Sequence, residues 1–441
     1  MFTVSKKNKD PWRLKIERLV FGGEGMGYYG GRPVFVAGVF PGEEVMVKPL
    51  ILKRKFVKAE LLEVIVKSVE RREAKETHFI SCSPWQIMPE EYQLTEKKAL
   101  VKNVFKKIAH EILPDDLEII ASPNAWEYRN KEEFSFANDN NGRPILAFNK
   151  RYLYDVYLPL NEHGCLLAPL AINECAQKIL QVIRKSPASR TSDLKNLTVR
   201  YSFATGKCLA ILYVKRLDFP NLEIKLANLA GLIIVYSKPE SPAAVVTKEL
   251  FINGEDFLSE RLNGKDFFYL YNDFFQINPA AFSLLLQELE NTLLPGETLI
   301  DLYSGTGAIG FSLAGKFKKV YSAEISQASK FAAEKNIIAL GLENKAEFLT
   351  LPADNFSFSN LGLNNDATVI VDPPRGGLEG KILKNLIAFK PKTLVYISCN
   401  PATQARDWNI LKEHYQITTH KLFDFYPQTP HMESLLILER K

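Results

Sequence analysis

A cysteine near the C-terminal end of the chain stands where a nucleophile could act. Cys399 lies in Ser398-Cys399-Asn400-Pro401, directly after the apolar run TLVYIS. A lone cysteine is usually a small buried hydrophobic side chain, but a thiol at a strand end followed by a polar turn has the access that reactivity requires. We interpret Cys399 as a nucleophile. The other cysteines show no C-x-x-C or histidine-rich spacing, so the spacing predicts no zinc site: Cys82, Cys165, Cys175 and Cys208.

Two carboxylates occupy similar positions. Asp372 ends the apolar run ATVIV and is followed by two prolines, which stiffen the backbone and prevent a helix from starting at once. Glu433 precedes the apolar run LLIL, and a carboxylate that enters a buried strand can act as a base because burial raises its pKa. His431 is the alternative base. Arg375 could contact phosphate or form a surface salt bridge.

A glycine-rich turn follows another apolar run. TLIDLYSGTGAIGFSLA places Gly305, Gly307 and Gly310 in a G-x-G-x-x-G pattern, which lets the backbone approach a nucleotide at a helix N-terminus. Glu324 ends the next strand, where an acid can accept hydrogen bonds from ribose hydroxyls. Asp301 would repel phosphate but favours a cationic amino group, so the pair of acids favours S-adenosylmethionine over a dinucleotide.

These residues need a sheet to bring them together. TLIDLY, KVYSAE, ATVIVD and TLVYIS are apolar strands separated by helical segments, a pattern typical of a parallel sheet covered on both faces. The carboxyl ends of such strands meet at one edge, where open α/β sheets bind ligands. We therefore predict an α/β, Rossmann-like domain over residues 271–441 with the reactive side chains at that edge.

The remainder of the chain predicts two further domains. Short apolar stretches separated by Gly-rich turns over residues 12–66 indicate a small OB-like β-barrel, which we assign to residues 1–68. Residues 69–270 alternate strands and polar turns and predict a mixed α/β central domain. Within it, residues 91–110 have apolar positions at helical spacing, and this helix could pack on the catalytic domain.

Composition indicates an ordinary soluble protein of the cytoplasm. The 441 residues are 46% hydrophobic with 5 Cys, the start of the chain lacks the apolar stretch of a secretory signal, and no apolar run reaches membrane-spanning length. Residues 1–70 contain 13 Lys and Arg against 8 Asp and Glu, which accounts for the whole net charge of +5. A concentrated positive charge favours a polyanionic partner, although a solvated basic surface explains it equally well.

Together these segments resemble class I S-adenosylmethionine-dependent RNA 5-methyluridine methyltransferases that carry an N-terminal TRAM domain. The resemblance covers nearly the whole chain. FGGEGMGYYGGRPVFVAGVFPGEEV is similar to the TRAM signature and WEYRNK to a central motif. The catalytic motifs follow in order: FFQINPAAF, DLYSGTGAIG, DPPRGGL, YISCNPATQARD and HMESLLILER.

The resemblance implies roles for particular residues. Cys399 would be the nucleophile that adds to uracil C6, and Glu433 the base that removes the C5 proton. Asp372 would position the uracil. The residues implied in methyl-donor binding are Gln276, Tyr303, Glu324 and Asp372. The target base would have to leave the RNA stack, which favours single-stranded or loop RNA.

The sequence departs from the family in two places. Many relatives hold an iron–sulfur cluster with four cysteines, but here Glu76, Cys82 and Trp85 stand in the three-cysteine run, with Cys165 as a possible fourth ligand. Because two thiolates cannot hold the usual cluster, we expect no iron–sulfur cluster and no metal, with packing around Trp85 instead. Pro352 replaces an acid or amide near the expected adenine site, and Asp354 is close by.

Three alternatives remain open from the sequence. The glycine turn alone would also suit an NAD-dependent oxidoreductase, and a catalytically silent RNA-binding protein would keep the same N-terminal module. The RNA target is also open: TRAM-containing relatives mostly resemble ribosomal RNA enzymes, so a uridine of large-subunit (23S) ribosomal RNA is favoured and transfer RNA is second. A monomer is the default expectation for a three-domain enzyme.

Overall fold

The computed structural model describes residues 10–153, 156–161, 163–186, 190–241, 244–378 and 380–441. Within these ranges the strands form three large sheets and one separate hairpin. None of the helices in these ranges is long and apolar enough to cross a membrane.

The first sheet has six strands and its own small core. Its strands are β1 (Trp12–Lys15), β2 (Arg18–Leu19), β3 (Gly25–Tyr29), β4 (Arg32–Val36), β5 (Glu44–Leu52) and β6 (Val57–Val66), in the order β1-β5-β6-β4-β3-β2. Alternation along β1 and β5 directs Trp12, Leu14, Val45 and Val47 into the core, as a half-buried strand requires.

The next segment contains two helices and one strand. These are α1 (Phe79–Cys82), α2 (Glu90–Ile108) and β7 (Glu118–Ile120). Pro89 immediately precedes α2, Glu90 and Glu91 lie in its first turn, and Lys106 and Lys107 lie in its last turn. This order complements the helix dipole and explains where α2 begins and ends.

The central sheet has seven strands. They are β8 (Lys131–Asn138), β9 (Pro144–Asn149), β10 (Tyr157–Pro159), β11 (Leu194–Tyr201), β12 (Cys208–Val214), β13 (Leu229–Tyr236) and β14 (Lys248–Gly254), in the order β10-β9-β8-β11-β12-β13-β14. Helix α3 (Leu170–Lys185) packs on it through Ile172, Ile179 and Ile183. The hairpin β15 (Phe257–Leu262) and β16 (Lys265–Leu270) follows.

The C-terminal sheet has eight strands. Its elements are α4 (Pro279–Thr292), β17 (Gly296–Leu302), α5 (Ala308–Ser312), β18 (Phe317–Glu324), α6 (Gln327–Ala339), β19 (Ala346–Thr350), β20 (Thr368–Val371), α7 (Gly380–Phe389), β21 (Thr393–Ser398), α8 (Pro401–Leu411), β22 (Tyr415–Phe423) and β23 (Glu433–Arg440). The order is β19-β18-β17-β20-β21-β23-β22-β7, with the first five strands parallel and β23 antiparallel to both neighbours.

The structure confirms the predicted α/β fold class. It also shows that part of the predicted central domain packs with the C-terminal sheet. The four apolar runs are the parallel strands β17, β18, β20 and β21. Helix α2 shares a core with α8 through Val104, Phe105 and Trp408, and β7 pairs with β22. Residues 90–120 therefore pack with the C-terminal sheet, although the sequence places them in a central domain at 69–270. The sequence allowed for this packing of the helix over residues 91–110, whereas the pairing of β7 with β22 joins segments about 300 residues apart that local patterning does not connect.

Candidate active site

The predicted site residues lie side by side along one edge of the C-terminal sheet. Glu324 ends β18, Tyr303 follows β17, Asp372 follows β20 and Cys399 follows β21. Because these four strands are parallel and adjacent, their carboxyl ends meet at this edge. Strand β23 runs the other way and begins there with Glu433. The sheet therefore orders the side chains from the glycine turn to the cysteine, with Asp372 between them.

The glycine turn brings the backbone close to β17. Gly305 and Gly307 have φ of +54° and +81°, which favour glycine. A Cβ on Gly310 would lie 2.9 Å from Asp301 Oδ2, and the Gly310 N–H donates to that oxygen at 2.9 Å. Tyr303 also has a positive φ, +63°. Such backbone strain in a non-glycine residue is typical of functional sites.

Two polar side chains near the turn keep acceptor capacity. Glu324 accepts hydrogen bonds from the N–H of Gly305 at 3.2 Å and of Ser326 at 2.8 Å, one on each oxygen. A carboxylate oxygen has two lone pairs, so each can accept a further hydrogen bond from a ligand hydroxyl. Gln276 Nε2 donates to Asp372 Oδ2 at 3.3 Å, which joins these two predicted residues.

The central motif WEYRNK positions Gln276. The Asn130 side chain donates to the Gln276 carbonyl at 2.9 Å, and the Asn130 N–H donates to the Ile277 carbonyl at 2.8 Å. Asn278 then caps α4 by accepting from the Ala281 N–H at 3.1 Å. The sequence singled out WEYRNK without giving it a role, and its contact with the Gln276 segment needed the three-dimensional structure.

The cleft beside the turn suits a cationic ligand. Its lining includes Phe274, Gln276, Tyr303, Ser304 and Asp372, and no Lys or Arg is among the described residues that line it. In the part of the chain that the structure describes, two buried polar atoms of this lining, Gln276 Oε1 and Ser304 Oγ, have no hydrogen-bond partner, and Asp301 Oδ1 beside the glycine turn has none either. Burial raises the pKa of Asp301 to about 7 and that of Asp372 to about 7. Unsatisfied acceptors and acids without nearby cations fit an amino acid amine and a sulfonium better than a pyrophosphate.

Cys399 is the one half-buried cysteine among those described, since the other four are buried. It lies directly before α8, which Asn400 caps by accepting from the Ala402 N–H at 3.1 Å. Asn400 also donates to the Arg375 carbonyl at 2.8 Å and so connects the DPPRGG and SCNP turns. Burial, and then the charge of Glu433, raise the pKa of the Cys399 thiol to about 11, while Arg375 opposes this shift.

Glu433 is buried beside the cysteine strand. The pairing of Ser398 with Ser434 sets the end of β21 beside the start of β23. Tyr426 OH donates to Glu433 Oε1 at 3.2 Å, whereas Oε2 finds no partner in the described residues. Burial, and then the charge of Asp372, raise the pKa of Glu433 well above its usual value. A base with this pKa is stronger than an ordinary carboxylate.

Tyr426 and its support were not found from the sequence. Lys97 of α2 donates to the Tyr426 carbonyl at 3.1 Å and pairs with Asp424 at 2.5 Å. The Lys97 side chain is fully buried, so helix α2 reaches the segment that presents Glu433. A lysine on a helix that otherwise has a basic outer face gave no signal of this contact. His431, the alternative base, lies edge-on to Tyr426 at 6.0 Å between ring centres.

Trp85 and Asp354, which belong to the two places where the sequence departs from the family, have structural contacts. Trp85 is buried, its indole N–H donates to the Gly23 carbonyl at 3.1 Å, and its backbone N–H donates to the Gln428 carbonyl at 3.0 Å. It thus connects the first sheet with the Tyr426 segment. Asp354 accepts a hydrogen bond from the Ile382 N–H at 2.9 Å, which satisfies a backbone donor in the first turn of α7.

The fold and the edge residues define the class of protein: an α/β enzyme with a glycine turn for a nucleoside cofactor and a Cys–Glu pair beside it. The model of the family "tRNA (Uracil-5-)-methyltransferase" matches residues 90–441. The chain belongs to this family, whose members methylate RNA, and the NAD-dependent alternative is not supported.

Similar proteins agree over the full length. The chain is 30% identical to an uncharacterized RNA methyltransferase of Fusobacterium nucleatum, covering 100% of this chain and 99% of that protein. An uncharacterized RNA methyltransferase of Listeria monocytogenes is 29% identical, covering 97% of each chain. The crystal structure of Pyrococcus abyssi tRNA (uracil-54, C5)-methyltransferase in complex with S-adenosyl-L-homocysteine shares the fold, with a TM-score of 0.77 and 24% identity over 97% of this chain and 100% of that chain.

Proposed function

We propose that this protein methylates C5 of a uridine in RNA with S-adenosylmethionine as methyl donor, using Cys399 as nucleophile and Glu433 as base. The observation that carries the proposal is the order of side chains along the sheet edge. Glu324 and Tyr303 lie on the glycine-turn side, Cys399 and Glu433 on the other, and Asp372 between them. This order supports a methyl-donor site next to a nucleophile–base pair.

The methyl donor would lie in the cleft with unsatisfied acceptors. Glu324 would accept hydrogen bonds from the ribose hydroxyls, and Gln276 and Asp372 would line the end nearest the reaction. When bound, S-adenosylmethionine supplies the electrophilic methyl carbon that the activated C5 takes up.

Cys399 and Glu433 would carry the covalent steps. Uracil C5 is a weak nucleophile, and addition of the Cys399 thiolate to C6 moves an electron pair onto C5 and the adjacent carbonyl. After C5 is methylated, Glu433 removes the C5 proton, the electron pair re-forms the C5–C6 double bond, and the C6–S bond breaks to release the thiolate. Because its site is buried, Glu433 is better accommodated in the protonated form that this step produces. Asp372 would accept a hydrogen bond from the uracil edge.

The first sheet would contribute RNA binding. Tyr28 and Tyr29 are exposed aromatic side chains on β3, and Tyr29 stacks on Trp12 with 4.2 Å between ring centres. Lys53, Arg54 and Lys55 are exposed between β5 and β6. Aromatic platforms with neighbouring positive charge are typical of single-stranded RNA binding.

Two classes of RNA are candidate substrates. The sequence favours large-subunit ribosomal RNA. The name of the family and the substrate of the Pyrococcus abyssi enzyme favour transfer RNA. That enzyme covers 97% of this chain and therefore has a counterpart of the first sheet, so this sheet does not distinguish the two substrates.

The test is a labelling experiment. Purified protein is incubated with labelled S-adenosylmethionine and total RNA from cells that lack it, and the labelled nucleoside is identified by mass. We expect 5-methyluridine, and size fractionation of the RNA would then identify ribosomal or transfer RNA. Label in another nucleoside would contradict the Cys399 mechanism. Cofactor binding without any label would favour the silent RNA-binding alternative.

A further inference from the structure

Three buried side chains with metal-binding atoms lie close together, in a segment distant in sequence from the residues of the sheet edge. Glu76, His78 and Cys82 lie in the segment between the first sheet and α2, and one donor atom from each lies within 4.8 Å of the others. His78 directly precedes the short helix α1 and Cys82 ends it, so the spacing of four residues places both on one side of the turn. Cys165, which lies between β10 and α3, is also buried, and its thiol interacts with that of Cys82.

The distances from Cys82 Sγ to its two neighbouring donors are close to those of a tetrahedral zinc site. His78 Nδ1 lies 3.2 Å from Cys82 Sγ, and Glu76 Oε2 lies 4.0 Å from the same sulfur. Zn–S bonds of about 2.3 Å and Zn–N or Zn–O bonds of about 2.0 to 2.1 Å at tetrahedral angles give ligand–ligand distances of about 3.6 Å. The observed separations bracket this value, so small side-chain shifts would accommodate one ion.

Surrounding groups already orient these donors. The other His78 nitrogen, Nε2, lies 3.2 Å from the Gly164 carbonyl, which leaves Nδ1 facing Cys82. Glu76 is held by the Leu166 N–H at 2.7 Å and by Gln86 Nε2 at 3.1 Å. Outer partners of this kind fix the tautomer and the ligand orientation in metal sites.

The charge balance also suits a divalent cation. Two thiolates and one carboxylate around Zn²⁺ leave a net charge of −1 with neutral imidazole. Arg129 is largely shielded from solvent, donates to the Cys82 carbonyl at 3.3 Å, and interacts electrostatically with both cysteines. Its guanidinium also pairs with Glu132 at 3.1 Å, so it lies between that carboxylate and the cysteines. Without a cation, burying the same set as anions would be costly.

We propose that Glu76, His78, Cys82 and Cys165 bind one Zn²⁺ as a closed four-ligand structural site. The ion would join the segment that follows the first sheet to the loop before α3, because three ligands come from the former and Cys165 from the latter. The sequence predicted no metal, since its cysteines lack zinc spacing and two thiolates cannot hold an iron–sulfur cluster. A single ion with mixed ligands needs neither condition. This proposal does not depend on the methyl-transfer mechanism.

Metal analysis of the full-length protein is the first test. The protein would be purified without a metal-affinity tag or chelator, and its metals quantified by mass spectrometry. We expect about one zinc per chain, reduced at least tenfold in Cys82→Ala and in Cys165→Ala. Cys208→Ala is the matched control, because Cys208 is equally buried and lies against Cys175 without a histidine or carboxylate partner of this kind. This control should keep its zinc.

Cobalt binding provides a readout that does not depend on metal acquired in the cell. Chelator-treated protein titrated with Co²⁺ should saturate at one ion per chain, with thiolate-to-cobalt charge-transfer absorption and the strong visible bands of tetrahedral Co²⁺, and Zn²⁺ should abolish both. Glu76→Gln should weaken binding about 10- to 100-fold. The proposal is wrong if wild-type protein neither contains zinc nor binds cobalt. Iron with acid-labile sulfide, or cobalt spectra unchanged in Cys82→Ala, would also overturn it.

Discussion

Cys399 and Cys82 are the same residue type in opposite surroundings. Burial and the charge of Glu433 raise the pKa of Cys399 to about 11, whereas a hydrogen bond from Cys165, with further help from His78, lowers that of Cys82 to about 6. The difference follows from the sign of the neighbouring charges and from which form of the thiol is hydrogen-bonded. A low thiol pKa therefore does not identify the reactive cysteine here.

Polar atoms separate the two regions further. Glu433 Oε2, Gln276 Oε1 and Asp301 Oδ1 have no partner within the described ranges of the chain, while the side chains of Glu76 and His78 are held by protein groups. Buried unpartnered acceptors are costly unless a ligand satisfies them. The sheet edge is arranged to receive substrates, and the Cys82 region is arranged to hold its own components together.

The largest predicted effect distinguishes the two cysteines directly. Cys399→Ala removes the atom that activates uracil and should lower methyl transfer on the order of 10⁴-fold or more, with an unchanged melting temperature. Cys82→Ala should keep turnover per folded molecule and lower the melting temperature. Label incorporation and calorimetry measure both. Equal losses of activity in the two variants would remove the distinction.

The second prediction concerns release of the covalent intermediate. Glu433→Gln removes the acceptor of the C5 proton and should slow turnover about 10²- to 10⁴-fold. Because Cys399 is intact, a protein–RNA adduct should accumulate and survive denaturing electrophoresis. Glu439→Gln is the matched control, since Glu439 lies on the same strand and pairs with Thr393 at 2.7 Å. Absence of the adduct in Glu433→Gln would contradict its role after the addition step.

Alkylation of Cys399 tests the cause of its raised pKa. The thiolate is the reactive form, so the iodoacetamide rate in the free protein should rise about tenfold per pH unit from about pH 7 to pH 10. Arg375→Ala removes a charge that opposes the shift, so it should raise the pKa and slow alkylation about threefold to tenfold at fixed pH. Arg261→Ala, which loses only the pair with Asp266, should leave the rate unchanged. A rate independent of pH would show that the thiol is already ionised.

Most of the catalytic edge could be predicted because it depends on strand ends. Asp372, Cys399 and Glu324 each follow an apolar run, and a parallel sheet places such ends together whatever the rest of the chain does. The cofactor class followed from Asp301 beside the glycines. These features are local in sequence, and their consequence is fixed by a general rule of sheet geometry.

Contacts between distant segments could not be predicted. Asn130 holds the Gln276 segment and Lys97 holds Tyr426, yet the residues of each pair are 146 and 329 positions apart. No periodicity or turn rule specifies which loops pack together. Lys97 shows this most clearly, because a lysine at helical spacing is expected in solvent and here is fully buried.

The smallest predicted effect concerns the hydrogen bond to the base. Tyr426 OH stabilises the charged form of Glu433 and thereby lowers its pKa relative to burial alone. Tyr426→Phe should raise that pKa further, so less carboxylate is available at a given pH and the acidic limb of the pH–rate profile should move to higher pH. One hydrogen bond of about 0.5 to 1.5 kcal/mol corresponds to a rate loss of at most about tenfold on that limb.

Tyr415→Phe loses a similar buried hydrogen bond, to the Pro391 carbonyl, and should affect stability without moving the limb. A limb that moves equally in both variants, or not at all in Tyr426→Phe, would mean that Tyr426 positions the loop without tuning Glu433.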